Sequence, residues 1–210
     1  ARWIYSAKSL KGDLRVAPLK GWKRGMRYEE TGLAWIAPSP CVPRPETCLY
    51  YAITGAIGEL GEISEGVGTA WPFELAGAPW IDGEALAAEL EKLRLPGVRF
   101  AALEFTPQGY SFDGQHCKGV KIEATDWQAI EPSRVMIGIV QAIHRLHRPI
   151  FPDTPFAAAP AKVRTFDRVL GCPVFRSSIL GGADAEQLLA GWAAERERFA
   201  ASRRAALLYD

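Results

Sequence analysis

The chain has no block of like charge, no long apolar run, no paired-cysteine motif and few histidines. Its 25 basic and 24 acidic residues nearly cancel, which argues against a broad nucleic-acid surface. No apolar run reaches the roughly 18 residues that a bilayer crossing needs, so no membrane span is expected. The cysteines Cys41, Cys48, Cys117 and Cys172 form no C-x-x-C pair, and their spacing suggests neither a zinc site nor a disulfide scaffold. His144 and His147 lie three apart on a predicted helix with no carboxylate at ligand spacing. They read as surface residues near a basic helix end, and no metal site is expected. His116 adjoins Cys117, but neighbours in an extended segment face opposite ways, which weakens a cysteine-hydrolase reading. Composition implies no cofactor. The chain starts at Ala1 with a helix already under way. The expectation is a fragment whose upstream part is missing, so the lack of a signal segment says nothing about compartment.

What is there is enough for a core: 48% of the 210 residues are hydrophobic. Residues 1–9 read as the end of a helix, and Asp13–Pro18 as a short strand with Leu14 and Val16 on one face. A proline- and aromatic-rich loop follows from Gly21 to Pro45. Proline at Pro45 with Glu46 beside it opens a helix to about Ile53. Asp82 caps another in which Leu86, Leu90 and Leu93 fall at helical spacing before Pro96. Val98–Phe105 and Gly119–Thr125 read as strands. Pro132 opens a helix with Val135, Met136, Ile139, Val140, Ile143 and Leu146 as its apolar stripe. Residues 149–161 read as a connector. Asp184 caps a last helix from Ala185 to Leu207, with Leu188, Leu189, Trp192 and Phe199 on its buried side. The fold class is α+β, or α/β, with a small mixed sheet, several helices and long irregular loops. All 210 residues are assigned to a single domain.

The irregular segments 21–45 and 55–81 carry the chemistry. The stretch GEISEGVGTAWPFELAGAPW, residues 61–80, holds three carboxylates, two prolines and two tryptophans. Aromatic faces beside polar groups suit sugar rings, and glycosidic cleavage ordinarily uses two carboxylates at a defined separation. Glu59, Glu62, Glu65 and Glu74 are the candidate acids, bases or hydroxyl binders, although solvated surface glutamates are the commoner case.

TGLAWIAPSP with the following VP and PET, SEG-GT-PFELAGAPWIDGEALAAEL, LPGVRF and the closing RRAALLY together resemble the C-terminal domain of the NamZ-type exo-β-N-acetylmuramidases. The likeness runs from about Leu14 to the end. It implies a bacterial peptidoglycan-recycling glycosidase about twice this length. A Rossmann-like N-terminal catalytic domain would precede this chain and act as its partner, with the active site in the cleft between them. The implied reaction releases N-acetylmuramic acid from peptidoglycan fragments. The resemblance suggests an envelope or secreted location and leaves a cytoplasmic one open, and it implies that this chain alone would be inactive.

By that resemblance Glu65 is the catalytic candidate, and Trp22, Arg24, Ser39, Glu59, Ser64, Thr69 and Trp80 the substrate-binding ones. Glu65 and Glu59 are expected as hydroxyl binders or supporting charges rather than as the acid itself, since part of the catalytic carboxylate set is expected upstream. Gly21, Trp22, Arg24 and Met26 fit the family's GW-R-M pattern. Arg24 would grip the lactyl carboxylate of muramic acid. Five positions depart: Cys41 stands where Asn is usual, Val67 where Arg is usual, and Leu60, Gly61 and Glu62 where Gly-Thr-Asn is usual. The departures keep open an alternative, a degenerate glycan-binding or scaffold domain that does not cut.

Overall fold

The structure, a computed structural model, describes residues 1–147, 150–151, 156–171 and 174–209. Two compact units are present: Ala1–Ile36 with Leu189–Asp210, and Ala37–Leu188. Each is described by itself.

The second unit is α+β. Helix α2 (Thr47–Gly58) is followed by strand β1 (Leu75–Ala78), helix α3 (Gly83–Lys92), strands β2 (Val98–Phe105) and β3 (Cys117–Ala124), and helix α4 (Pro132–Leu146). The sheet has the order β1-β3-β2. It is small, and both its pairings run antiparallel, with Leu75 opposite Lys121 and Phe105 opposite Cys117. Asp82 caps α3 as its sequence position requires, its carboxylate accepting from Ala85 N at 3.1 Å. Helix α3 lies across β2 and β3, and α2 packs on α4. The facing side chains Ile53, Ile57, Ile139, Val140 and Ile143 are fully buried. Each contributes about 1.5–3 kcal/mol by leaving water, and together they fix where α2 ends.

Beyond α4 come α5 (Ala161–Val169), α6 (Val174–Leu180) and α7 (Ala185–Gly191). Phe151, Phe166 and Phe175 stack successively at 5.2 and 5.7 Å. Beside them Asp167 and Arg176 form a buried ion pair at 3.2 Å. Part of the expected connector 149–161 lies outside the described residues, as does Cys172. The rest includes a single 3-10 turn, Phe156–Ala158.

The first unit holds α1 (Arg2–Ala7) and α8 (Ala193–Arg203), neither of which contains a buried residue. Aromatic contacts hold it: Trp3 meets Phe199 at 5.0 Å, Trp22 meets Tyr209 at 4.7 Å and Tyr28 meets Trp35 at 4.9 Å. Ile4, Leu10, Leu19, Leu33 and Ile36 stand exposed.

Three expectations are corrected. Asp13–Pro18 is not a strand; Leu14 and Val16 are exposed, and alternation alone makes no strand without a neighbour to pair. The last helix is two, interrupted at Trp192, and Phe199 is 45% exposed rather than buried. The stretch 61–80 is not wholly irregular, since it contains β1.

Candidate functional site

The chain between α2 and α3 is built by turns that its own sequence specifies. Ser64 N donates to Gly77 O at 2.7 Å and Gly77 N returns the bond to Ser64 O at 3.1 Å, which pins residue 64 beside the start of the sheet. Gly66 and Gly68 both take φ of +87°, a left-handed backbone that glycine adopts without steric cost. A side chain at 68 would also collide with the backbone of Gln108, whose N donates to Gly68 O at 3.1 Å. Thr69 Oγ1 donates to Gly66 O at 2.7 Å and accepts from Trp71 N at 3.0 Å. The Ser64 hydroxyl is buried and accepts from Gly66 N. Ser39 Oγ accepts from Cys41 N at 3.2 Å. In this structure the hydroxyls of Ser39, Ser64 and Thr69 all hold the loops' own backbone.

Glu65 differs. It is half-buried, and its Oε2 is buried without a hydrogen-bond partner. The carboxyl lies against Gly58 in the last turn of α2, and Glu59 follows as the exposed C-cap residue. Burial pushes the Glu65 carboxyl above its ordinary value, opposed by a hydrogen bond from its own backbone, and the charge of Glu59 adds to the rise. The negative end of the α2 dipole is a further reason for the neutral form. A carboxyl whose pKa is raised by its surroundings is better suited to act as a general acid than a solvated one.

A second carboxylate, Glu74, is buried and paired with Arg44. It follows Phe73, which is held at φ +66°. Thr54 Oγ1 donates to Phe73 O at 2.7 Å, and exposed Tyr51 packs edge-on to the Phe73 ring at 4.8 Å. Strain of that kind, of order 1–3 kcal/mol, persists only where surrounding contacts over-determine it. Glu74 was one of the candidate carboxylates, but its partner Arg44 and Tyr51 were not among the sequence-predicted site residues. The run PRPETCLYY places Arg44 three residues before Thr47 and Tyr51 one turn into α2, which was the available signal.

The structure groups some predicted residues and separates others. Glu59 and Glu65 both lie at the end of α2. Ser39, through Cys41, reaches the β2–β3 loop, where Cys41 Sγ lies 3.4 Å from the Tyr110 hydroxyl. Trp80 has its ring 6.0 Å from that of His147. Trp22 and Arg24 belong to the first unit, Trp22 half-buried and Arg24 exposed. His144 and His147 are half-buried rather than plain surface residues, and Nδ1 of His144 and Nε2 of His147 are buried without partners. Leu60 and Val67 are core residues, 2% and 4% exposed, so these two departures change packing and not an open face. A groove of about 520 Å³ lined by Arg94, Arg134, Arg145 and Glu186 contains none of the predicted site residues. Cys117 is buried and its thiol is pushed up by that burial, while His116 pairs with Glu104 at 3.2 Å. That removes the cysteine-hydrolase reading. Among the described residues no cluster of His, Cys, Asp or Glu could hold a metal ion, and no helix is long and apolar enough to cross a membrane.

Comparison with known proteins bears on the family. The family described as exo-β-N-acetylmuramidase NamZ, C-terminal, matches residues 49–209, and its N-terminal counterpart matches residues 1–46. The chain belongs to the NamZ exo-β-N-acetylmuramidase family. It is 35% identical over 201 residues to the peptidoglycan β-N-acetylmuramidase NamZ of Bacillus subtilis, covering 96% of this chain and 47% of that protein. The chain thus spans about half the length of that relative. A crystal structure of a DUF1343 family protein from Bacteroides fragilis superposes with a TM-score of 0.86 at 31% identity, over 99% of this chain and 54% of that one. A second DUF1343 protein from the same organism, at 21% identity and a TM-score of 0.63, covers 99% of this chain and 53% of its own, and shares the fold. The family read from the SEG-GT and PFELAGAPW runs is thus the one that the comparisons show.

Proposed function

We propose that this chain is the C-terminal half of an exo-acting β-N-acetylmuramidase, which hydrolyses terminal N-acetylmuramic acid from peptidoglycan fragments. It supplies one wall of the active-site cleft, and the family's Rossmann-like N-terminal domain supplies the other. Residues 1–46 carry the N-terminal signature, and the first unit exposes Ile4, Leu10, Leu19, Leu33 and Ile36. An apolar set of that kind suits a docking surface for the remainder of that domain.

The observation that carries the reading is Glu65. Its carboxyl is partly withdrawn from water, unpartnered at Oε2 and held toward the protonated form. In a glycosidase a group in that state protonates the departing glycosidic oxygen as the oxocarbenium-like transition state forms. Glu59 lies close enough to raise it electrostatically and is exposed to meet a sugar hydroxyl. Arg24 and the aromatic faces of Trp22 and Trp80 serve in substrate binding on the family resemblance.

The test joins this chain to the family's N-terminal domain and measures release of chromophore from an N-acetylmuramide. Turnover supports the enzyme. A folded protein that binds the sugar without turnover supports the alternative, a degenerate glycan-binding domain. That alternative is favoured by one specific observation: the hydroxyls of Ser39, Ser64 and Thr69 are occupied within their own loops.

A further inference from the structure

Two side chains from distant parts of the sequence press against the turn 58–61 that closes α2. One is the Glu65 carboxyl, against Gly58. The other is Lys162, from α5. A methyl group at residue 61 would stand 2.8 Å from Lys162 Cδ and 2.9 Å from Cε, with the ammonium nearer still. Gly61 itself is left-handed at φ +64° and its N donates to Gly58 O at 3.0 Å. Residues 58 and 61 therefore close one tight turn, whose ends lie within about 7 Å. The carboxyl and the ammonium each lie against one end of that turn.

The charges make this placement unusual. Glu59, Glu62 and Glu65 put three carboxyl groups around the turn. Arg44, just before α2, is committed to Glu74. Lys162 is exposed and has no hydrogen bond or ion pair among the described residues. A cation at the negative end of a helix is favourable, which accounts for its being tolerated there but not for an ammonium left open to solvent beside a half-buried acid.

We propose that Lys162 is a specificity residue, binding the acid group of the sugar whose glycosidic oxygen faces Glu65. This rests on the muramidase reading above. Muramic acid differs from glucosamine by a lactyl ether that ends in a carboxylate. An acid and a cation at the two ends of one tight turn are the pair that a ring carrying both a glycosidic oxygen and a carboxylate would engage. The ligand class is a glycoside bearing a carboxylate on its ring substituent, and discrimination against its neutral analogue arises from one charge-assisted contact.

The experiment uses this chain joined to the family's N-terminal domain, with two chromogenic substrates: an N-acetylmuramide and its lactyl methyl ester. Wild type, Lys162→Met, Lys162→Arg and Arg24→Met are compared by the ratio of kcat/KM between acid and ester. The expected result is a preference for the acid that falls about tenfold or more in Lys162→Met, survives in Lys162→Arg, and weakens with added salt. A ratio unchanged in Lys162→Met, or one abolished by Arg24→Met alone, overturns the inference and leaves the muramidase reading intact. A wild type without turnover on either substrate refutes the reading on which the inference stands. Equal losses on both substrates, with a lowered Tm, show Lys162 to be a helix-end support and also overturn it.

Discussion

The carboxyl group of Glu65 lies directly against the backbone of Gly58: a methyl group at residue 58 would stand 2.5 Å from its Oε2 and 2.6 Å from its Cδ. The absence of a side chain at the end of α2 is what lets an acidic group sit there, and most of the functional account depends on that contact.

Substituting Gly58 separates stability from function. Gly58 is helical, so Ala should favour α2 by roughly 0.5–1 kcal/mol. The same methyl group displaces the Glu65 carboxyl. Gly58→Ala is expected to melt within a few degrees of wild type, or above it, and to lose at least tenfold in turnover. Thermal denaturation and a muramide assay on one preparation check both.

The raised pKa of Glu65 fixes a sign for the pH dependence of stability. Its ordinary value is 4.5. With the folded value above that, the native state binds more protons than the unfolded state between the two. Stability therefore falls as pH rises through this window, and the full cost is present above the folded value. Glu65→Gln removes the cost. The variant should melt above wild type at neutral pH, and the difference should shrink once pH drops below 4.5. A difference that stays constant with pH contradicts the assignment.

His147 gives the opposite sign. Burial pushes it below its ordinary 6.5, so the unfolded state binds more protons between the folded value and 6.5. Acidification through this window destabilises wild type, and His147→Gln should remove that part of the acid sensitivity. The groups facing it include Trp80 and the carboxylate of Asp82.

Arg44 and Glu74 are coupled. Glu74 is buried while Arg44 is about half exposed, so Arg44→Ala leaves a carboxylate buried without its partner. The expected cost is about 1–3 kcal/mol, below that of a fully buried pair because Arg44 reaches water. Adding Glu74→Gln should recover part of it, and a double-mutant cycle by denaturant unfolding measures the coupling.

Much of the scaffold was legible because local signals agreed with tertiary ones. Val98–Phe105 was read as a strand and is β2. Pro132 marked the start of α4, and five of its six stripe residues are buried, the sixth, Leu146, being 40% exposed. Ile139→Ala should accordingly cost about 2–5 kcal/mol, and Leu146→Ala far less. Helix α2 was read only to Ile53 because glycines at 55 and 58 weaken the local signal, yet burial of Ile57 carries the helix to Gly58. Strand β1 was missed because LAGA has little strand propensity; pairing with β3 forms it. At the site, Glu65 stood out through its motif. What makes its carboxyl unusual, contact with Gly58 and burial of Oε2, comes from tertiary packing that spacing along the chain does not reveal. Lys162 lies about a hundred residues from Glu65 in sequence and meets the same turn only because α5 packs on α2.

The most direct test of the central claim is kcat/KM for release of N-acetylmuramic acid, in wild type and Glu65→Gln, by the chain joined to the family's N-terminal domain. The account predicts measurable turnover in wild type and a loss of at least a hundredfold in the variant, with sugar binding retained, in line with the contribution of general acid catalysis. Equal turnover in the two proteins would contradict it.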